Sequence, residues 1–189
     1  MKVDSKINVL VIPDLFPKFK GDVQGIFILD YLTSTASYCN QIVLFGRLTS
    51  DKKGITIEKN SQFELYRFSI SSKKMAFYLK PLGYLLWFIK GFNIGKNFKN
   101  IDIIHAHGSI LSGTLSYLLS KKLNVPFIIT EHQGPFSMTS DNFWKKNWTK
   151  FIMQKAQAVL TVSNHLKQEI LKYYYDNVLY KDIMTRTVS

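Results

Sequence analysis

The chain alternates short apolar runs rich in β-branched residues with longer segments whose apolar residues return every three or four positions. The first run, Ile7 to Ile12 (INVLVI), is continuous and apolar, as a strand buried on both faces of a parallel sheet would be. Pro13 closes it, and Asp14 to Gln24, with its proline, glycine and charges, reads as a loop. Ile26, Leu29, Leu32 and Ala36 give Gly25 to Tyr38 a helical spacing. Gln41 to Phe45 reads as a second strand, and the alternation in Gln62 to Ile70 as a third. Met75 to Phe98 is the most apolar segment and reads as a helix, kinked or broken near Pro81 and Gly83. Strands follow at Ile101 to His107, Pro126 to Glu131 and Ala158 to Val162, with helices at Ile110 to Leu123 and Phe143 to Gln154. Ser163 stands where an N-cap belongs, opening a helix over Asn164 to Tyr173.

Strand and helix alternate throughout, which implies parallel βαβ units with right-handed crossovers. The expected fold is α/β: a doubly wound, mostly parallel, Rossmann-like sheet with helices on both faces. A length of 189 residues, 46% of them hydrophobic, supplies one domain with a substantial core. No run is long and apolar enough for a transmembrane helix, and no signal-peptide pattern opens the chain. Cys39 is the single cysteine, so no internal disulfide can form and a cytoplasmic location is expected. The formal charge of +12 favours a polyanionic neighbour such as acidic lipid, nucleic acid or a phosphorylated substrate. That excess is mostly Lys spread along the chain, which equally fits a solvated surface.

Ligands of open α/β sheets bind beyond the carboxyl ends of the strands, so the residues that follow each strand are the candidates. After the first strand comes Gly21-Asp22-Val23-Gln24-Gly25, where Gly25 either lets a backbone approach a ligand or makes a turn. It is neither Gly-x-Gly-x-x-Gly nor a P-loop. His105-Ala106-His107-Gly108, Glu131-His132-Gln133-Gly134-Pro135 and Ser163-Asn164-His165 follow three later strands, so all four histidines fall at carboxyl ends. His107 and His132 are the stronger functional candidates. His105 and His107 share a strand face and could begin a zinc site. With no cysteine nearby and Glu131 as the obvious carboxylate, no metal is assigned. Neither a Gly-x-Ser-x-Gly elbow nor a histidine beside Cys39 supports a nucleophilic enzyme.

Taken in order, Ile7–Pro13, Gly25-Ile26-Phe27, Asp102-Ile103-Ile104-His105-Ala106-His107, Val125-Pro126 through Thr130-Glu131-His132, and Ala156-Gln157-Ala158-Val159-Leu160-Thr161-Val162-Ser163 resemble the N-terminal domain of retaining family 4 glycosyltransferases of the GT-B fold. The resemblance covers about residues 7 to 175. It implies an acceptor-binding Rossmann-like domain over residues 1–175, followed by an atypical tail over 176–189. It implies sugar transfer from a nucleotide sugar to a glycan or lipid-linked acceptor, as in polysaccharide biosynthesis, with no cofactor and no required metal. It places His132 near the reaction centre as the catalytic candidate, with Gly25, His107, Glu131 and Gly134 contacting acceptor or donor. The paired glutamates and basic residues of the family's donor-binding domain are missing, as is the Asn-Gly turn usual at the crossover. The chain is therefore expected to be inactive alone, a truncated or frameshifted gene product or a fragment whose C-terminal donor domain is its missing partner.

Phe77 to Phe92 holds eleven large apolar residues in sixteen positions, with lysines in and around them, more than one buried stripe requires. Trp87, Phe88 and Lys90 are the membrane-contact candidates, at the inner face of an anionic bilayer. A missing domain or a dimer partner would cover the same surplus. The competing reading, a basic Rossmann-like module for nucleic acid or another polyanion, has the charge and the 14% aromatic content in its favour. The aromatics lie in apolar runs rather than among clustered basic residues, and no nucleic-acid motif is present, so nucleic acid is disfavoured.

Overall fold

The computed structural model describes residues 6–19, 21–49, 54–71, 80–132, 134, 142–173 and 183–185. It divides into two compact units, residues 1–103 and 104–189.

In the first unit, β1 (Ile7–Pro13), β2 (Cys39–Thr49) and β4 (Glu64–Ser71) run parallel, with β2 in the middle, and β3 (Gly54–Lys59) pairs antiparallel with β4. Val9 and Val11 of β1 join Ile28 and Leu32 of α1 (Ile26–Thr35), Val43, Phe45 and Leu65 in one core cluster. Leu10 and Ile12, pointing the other way by the two-residue period, are fully buried as well. The continuous apolar run therefore does what its pattern implied: both faces of β1 are covered.

β3 is an element the apolar pattern did not bring out. All six of its residues are exposed, although Ile55 and Ile57 alternate with Thr56 and Glu58 in the strand period. The hairpin into β4 is closed by Asn60, whose Oδ1 accepts from the backbone N–H groups of Gln62 and Phe63 at 2.8 and 2.9 Å. The expected helix over Met75 to Phe98 is observed as α2 (Lys80–Gly95), while residues 75–79 lie outside the described residues. Pro81 sits in its first turn, where a missing N–H removes no helical bond, so the proline starts the helix rather than kinking it.

In the second unit, β5 (Ile103–His107), β6 (Phe127–Glu131), β7 (Ala158–Thr161) and β8 (Ile183–Thr185) form consecutive parallel pairs. The β8 strand falls in the segment read from sequence as a tail. Helices α3 (Leu111–Leu123), α4 (Phe143–Lys155) and α5 (Asn164–Tyr173) alternate with the strands. Leu115, Leu119, Ile129, Ile152, Met153, Leu166 and Ile170 are buried. Ser163 caps α5 as expected, its Oγ accepting from the Leu166 N–H at 3.1 Å, and Asn142 caps α4 through the Lys145 N–H at 2.8 Å. The fold is α/β and Rossmann-like with a mostly parallel sheet. Among the described residues no helix is long and apolar enough to cross a membrane.

Candidate active site

β5 and β6 carry three histidines to their carboxyl ends. Being two residues apart, His105 and His107 face the same side of β5, and their ring centroids lie 4.2 Å apart. His132, just beyond β6, lies nearly parallel to His107 at 5.2 Å between centroids. His107 Nδ1 and His132 Nε2 are 2.9 Å apart, so one imidazole donates its N–H to the bare nitrogen of the other. His105 Nε2 is 2.7 Å from Thr130 Oγ1. His105 and His107 are buried, whereas His132 is only half-buried.

Burial makes all three rings poor bases. Desolvation, followed by the neighbouring His132, lowers His105 to about 3. Desolvation, followed by the flanking His105 and His132, holds His107 well below its ordinary value. Desolvation lowers His132 to about 4. At neutral pH the three imidazoles are uncharged, and the His107–His132 hydrogen bond excludes protonation of both its rings. Two imidazolium rings would have no acceptor between them.

A second layer braces this cluster. Glu131 is 1% exposed. Its Oε2 accepts a hydrogen bond from Ser109 Oγ, and its Oε1 accepts from the His132 N–H at 3.1 Å. The carboxylate ties the turn after β5 to the end of β6. Glu131, expected from sequence to contact acceptor or donor, is buried with one oxygen on Ser109 and the other on the His132 N–H. Gly108, at φ +117°, donates its N–H to the Thr130 carbonyl at 2.9 Å, and Ser112 Oγ donates to the Gly108 carbonyl at 2.8 Å. Ser109 and Thr130, which hydrogen-bond Glu131 and His105, are the residues of this cluster that sequence reasoning missed. Their signal was adjacency alone, since each stands within two residues of a candidate histidine.

The other candidates have surroundings of their own. His165 is a surface residue on α5, reaching Glu169 one turn on at 3.7 Å, so the four histidines do not form one group. Gly134 is exposed, and a methyl group added there would meet only Glu169 Oε2, at 3.8 Å, so no steric demand for glycine exists. Its neighbours Gln133 and Pro135 lie outside the described residues. Gly25, in the first unit, has φ +75°, and an added Cβ would lie 2.7 Å from the Leu15 backbone carbonyl. Its open face is filled by the chain's own loop, which is the turn reading rather than the ligand-contact reading. Asp22 pins that loop by accepting from the N–H groups of Lys18 and Gln24, and these bonds hold its carboxyl below the usual range.

Trp87 is corrected as a membrane contact. It is 4% exposed, with its ring 5.6 Å from that of Phe68, and both rings lie over Gly46, where a Cβ would clash with them. Phe88 is half-buried against Trp87, and Lys90 Nζ donates to the carbonyls of Gly54 and Ser69 at 3.1 and 3.2 Å. The exposed apolar residues of α2 are Leu82, Tyr84, Leu85, Leu86 and Ile89 instead. Among the described residues no group of three or more His, Cys, Asp or Glu side chains could hold a metal ion. The His107–His132 bond occupies two of the ring nitrogens a metal would need.

Polar side chains gathered beyond the carboxyl ends of a parallel sheet stand where Rossmann-like domains carry their ligand sites. Residues 55–179, about two-thirds of the chain, match Glycosyltransferase Family 4, and the chain belongs to that family as an N-terminal domain of the GT-B type. An uncharacterized glycosyltransferase of Methanocaldococcus jannaschii is 26% identical over 96 residues, covering 49% of this chain and 27% of that protein. A trehalose-6-phosphate structure from E. coli bound with UDP-2-fluoro glucose is similar at a TM-score of 0.64 and 10% identity, over 95% of this chain and 48% of that one. Anabaena HepE, solved with UDP and glucose, gives 0.57 and 12%, over 95% of this chain and 43% of that one. At such identities the two structures share the fold. The chain spans about a quarter of the curated relative and about half of each of these structures.

Proposed function

We propose that this chain is the acceptor-binding half of a retaining glycosyltransferase that moves a sugar from a nucleotide sugar to a glycan or lipid-linked acceptor, and that it does not complete the reaction alone. The supporting observation is the graded burial of the histidines: His105 and His107 behind, His132 at the edge, with the His107 hydrogen bond fixing how the His132 ring lies. In the transfer, the bond from the anomeric carbon to the nucleotide's phosphate oxygen breaks. A bond to an acceptor hydroxyl oxygen forms, and the hydroxyl proton leaves with the phosphate. Positive charge grows on the sugar along the way. A neutral imidazole can hydrogen-bond a sugar hydroxyl without opposing that charge, and burial keeps His132 neutral. Glu131 and Ser109 act through His132, as positioning residues. The reading requires no cofactor and no metal. The UDP-2-fluoro glucose in the E. coli structure and the UDP and glucose in the Anabaena structure support the donor class.

Calorimetry of the 189-residue chain with UDP-glucose should show no micromolar binding, which would correspond to about −8 kcal/mol. Such binding, or turnover of any nucleotide sugar by the chain alone, overturns its dependence on a donor half. In a protein joined to a donor-binding domain of the family, His132→Ala should lower turnover by about two orders of magnitude while the fold persists. Unchanged turnover removes His132 from the site.

A second reading is favoured by the exposed leucines and isoleucine of α2: that the acceptor is met at an anionic membrane surface, as for a lipid-linked acceptor in polysaccharide biosynthesis at the cytoplasmic face. Vesicle cosedimentation tests it. Binding that needs acidic lipid and weakens with salt supports the membrane, and indifference to acidic vesicles at low salt assigns the α2 surface to a protein interface.

A further inference from the structure

β6 begins at Phe127 and ends beside His132, so its two ends lie about 15 Å apart. The amino end is not bare. There the last turns of α3 and α4 and the segments entering β6 and β7 line an open cleft of about 300 Å³, near the lower bound for small-molecule sites. Its wall carries Lys121, Lys155, Tyr117, Ser120, Asn124 and Gln157, and no carboxylate.

Both cations are placed against aromatic rings. Lys121 Nζ lies over Tyr117 at 5.9 Å and Lys155 Nζ over Phe151 at 5.5 Å, while the two rings meet edge to face at 5.4 Å. Each lysine of the cavity wall is thus held by its own ring contact. Asn124 turns the chain at the rim in the left-handed conformation, φ 56°, and Gln157 is pinned by its N–H to the Phe127 carbonyl at 2.8 Å. The rim is therefore fixed by backbone hydrogen bonding, and its amide side chains add neutral donors to the two charged ones. Glu131, the acidic residue of β6, is buried at the opposite end of the strand and contributes nothing here.

We propose that this cavity is an anion site, separate from the histidine cluster, that takes a small phosphomonoester: the phosphate against the wall that carries Lys121 and Lys155, and a compact polar body against Tyr117, Asn124 and Gln157. Lysine binds phosphate as a point charge, and a cavity of this size holds a sugar phosphate but not a nucleotide sugar. The competing account is that both lysines merely offset the negative ends of α3 and α4, in whose last turns they stand. That account predicts a stabilising role without any response to phosphate, which makes the two separable. The proposal does not depend on the transferase reading.

The test uses the 189-residue chain, with inorganic phosphate and glucose 6-phosphate as soluble probes, glucose as the uncharged control, and phosphatidic acid vesicles for a headgroup source. Both phosphates should raise the melting temperature at constant ionic strength, and glucose should not. The double variant Lys121→Gln with Lys155→Gln should weaken phosphate binding by about tenfold. Lys167→Gln with Lys172→Gln, removing two charges from α5, should leave it unchanged. Backbone amide shifts at Phe127 and Gln157 in the unmodified chain should move with phosphate, which keeps the test open if a variant folds poorly. Lysine-dependent binding to the vesicles but not to the soluble phosphates would place the same phosphate chemistry on a lipid headgroup. Equal loss in both double variants, no shift at Phe127 and Gln157, or no response to any phosphate overturns the site.

Discussion

Helices α2 and α3 each bury a face rich in small residues. On α2, Leu82, Leu85, Leu86 and Ile89 face solvent while Gly83, Trp87, Gly91 and Gly95 are buried. On α3, Ser112, Gly113, Thr114, Ser116 and Ser120 are buried together with Leu115 and Leu119, while Leu118 is exposed. Each helix comes close to its neighbours through small residues. The small face of α2 brings Trp87 over Gly46 of β2, and that of α3 brings Gly113 against Ile152 of α4 and the Gly108 carbonyl below the histidines. The consequences differ. Close approach of α3 supports the site, since Ser112 and Gly108 belong to the turn that carries Ser109 to Glu131. Close approach of α2 leaves a row of large apolar side chains exposed.

Two glycine substitutions should show how tightly each approach is made. Gly46→Ala would place a methyl group where the Phe68 and Trp87 rings lie, and one of the rings or α2 itself must move. A loss of about 3 kcal/mol in urea unfolding is expected. At Gly113 the new methyl would lie 3.1 Å from Ile152 Cγ2 and 3.2 Å from the Gly108 oxygen. That crowding is partly offset by alanine's helix preference, worth about 1 kcal/mol, so Gly113→Ala should fall within about 1 kcal/mol of neutral. Equal losses at the two positions would remove the distinction between the helices.

The histidines beside α3 predict a pH dependence that the α2 region lacks. Unfolded, each imidazole titrates near about 6.5. Folded, His105 and His132 are lowered to about 3 and about 4. Between these limits the unfolded chain binds more protons, so the histidines' contribution to stability is level above about pH 7 and falls as the pH drops from about 6.5 towards about 4. The slope is about 1.4 kcal/mol per pH unit for each proton taken up. Unfolding of His132→Gln should show a shallower slope over that window. An unchanged slope would mean that His132 titrates normally in the folded chain.

Much of the architecture was legible because a two-residue or 3.6-residue period survives whatever surrounds it: β1, α3, β6 and α5 fall within a residue or so of their expected bounds. β3 was passed over because an exposed edge strand needs no apolar run, and only the alternation of Ile55 and Ile57 marked it. At the site, the strand-end rule located His105, His107 and His132, since topology alone puts them at one edge. It could not separate His165, whose position follows from the face of a helix, nor foresee that Glu131 would turn inward to Ser109. Side-chain direction after a strand's last residue depends on tertiary partners. The same limit misassigned Trp87: composition showed that α2 carried too many apolar residues, but only the packing on Gly46 shows which of them is buried.

The smallest effect expected on stability is the most informative about α2. Leu85→Ser and Ile89→Ser replace residues that are 54% and 49% exposed, so neither opens a cavity and little apolar area returns to water on unfolding. Each should change stability by less than about 0.5 kcal/mol, the usual range for surface positions. Trp87→Ser would instead remove a ring packed on Phe68, and loss of vesicle binding in that variant would carry no meaning about contact. The paired Leu85 and Ile89 substitutions separate the two properties. If binding to acidic vesicles falls while the urea midpoint stays in place, the exposed row is the contact surface. If binding persists, the lysines alone account for it and the row belongs against protein. A drop in stability of several kcal/mol would show that the row is already covered within the folded chain, and the contrast between α2 and α3 would have to be withdrawn.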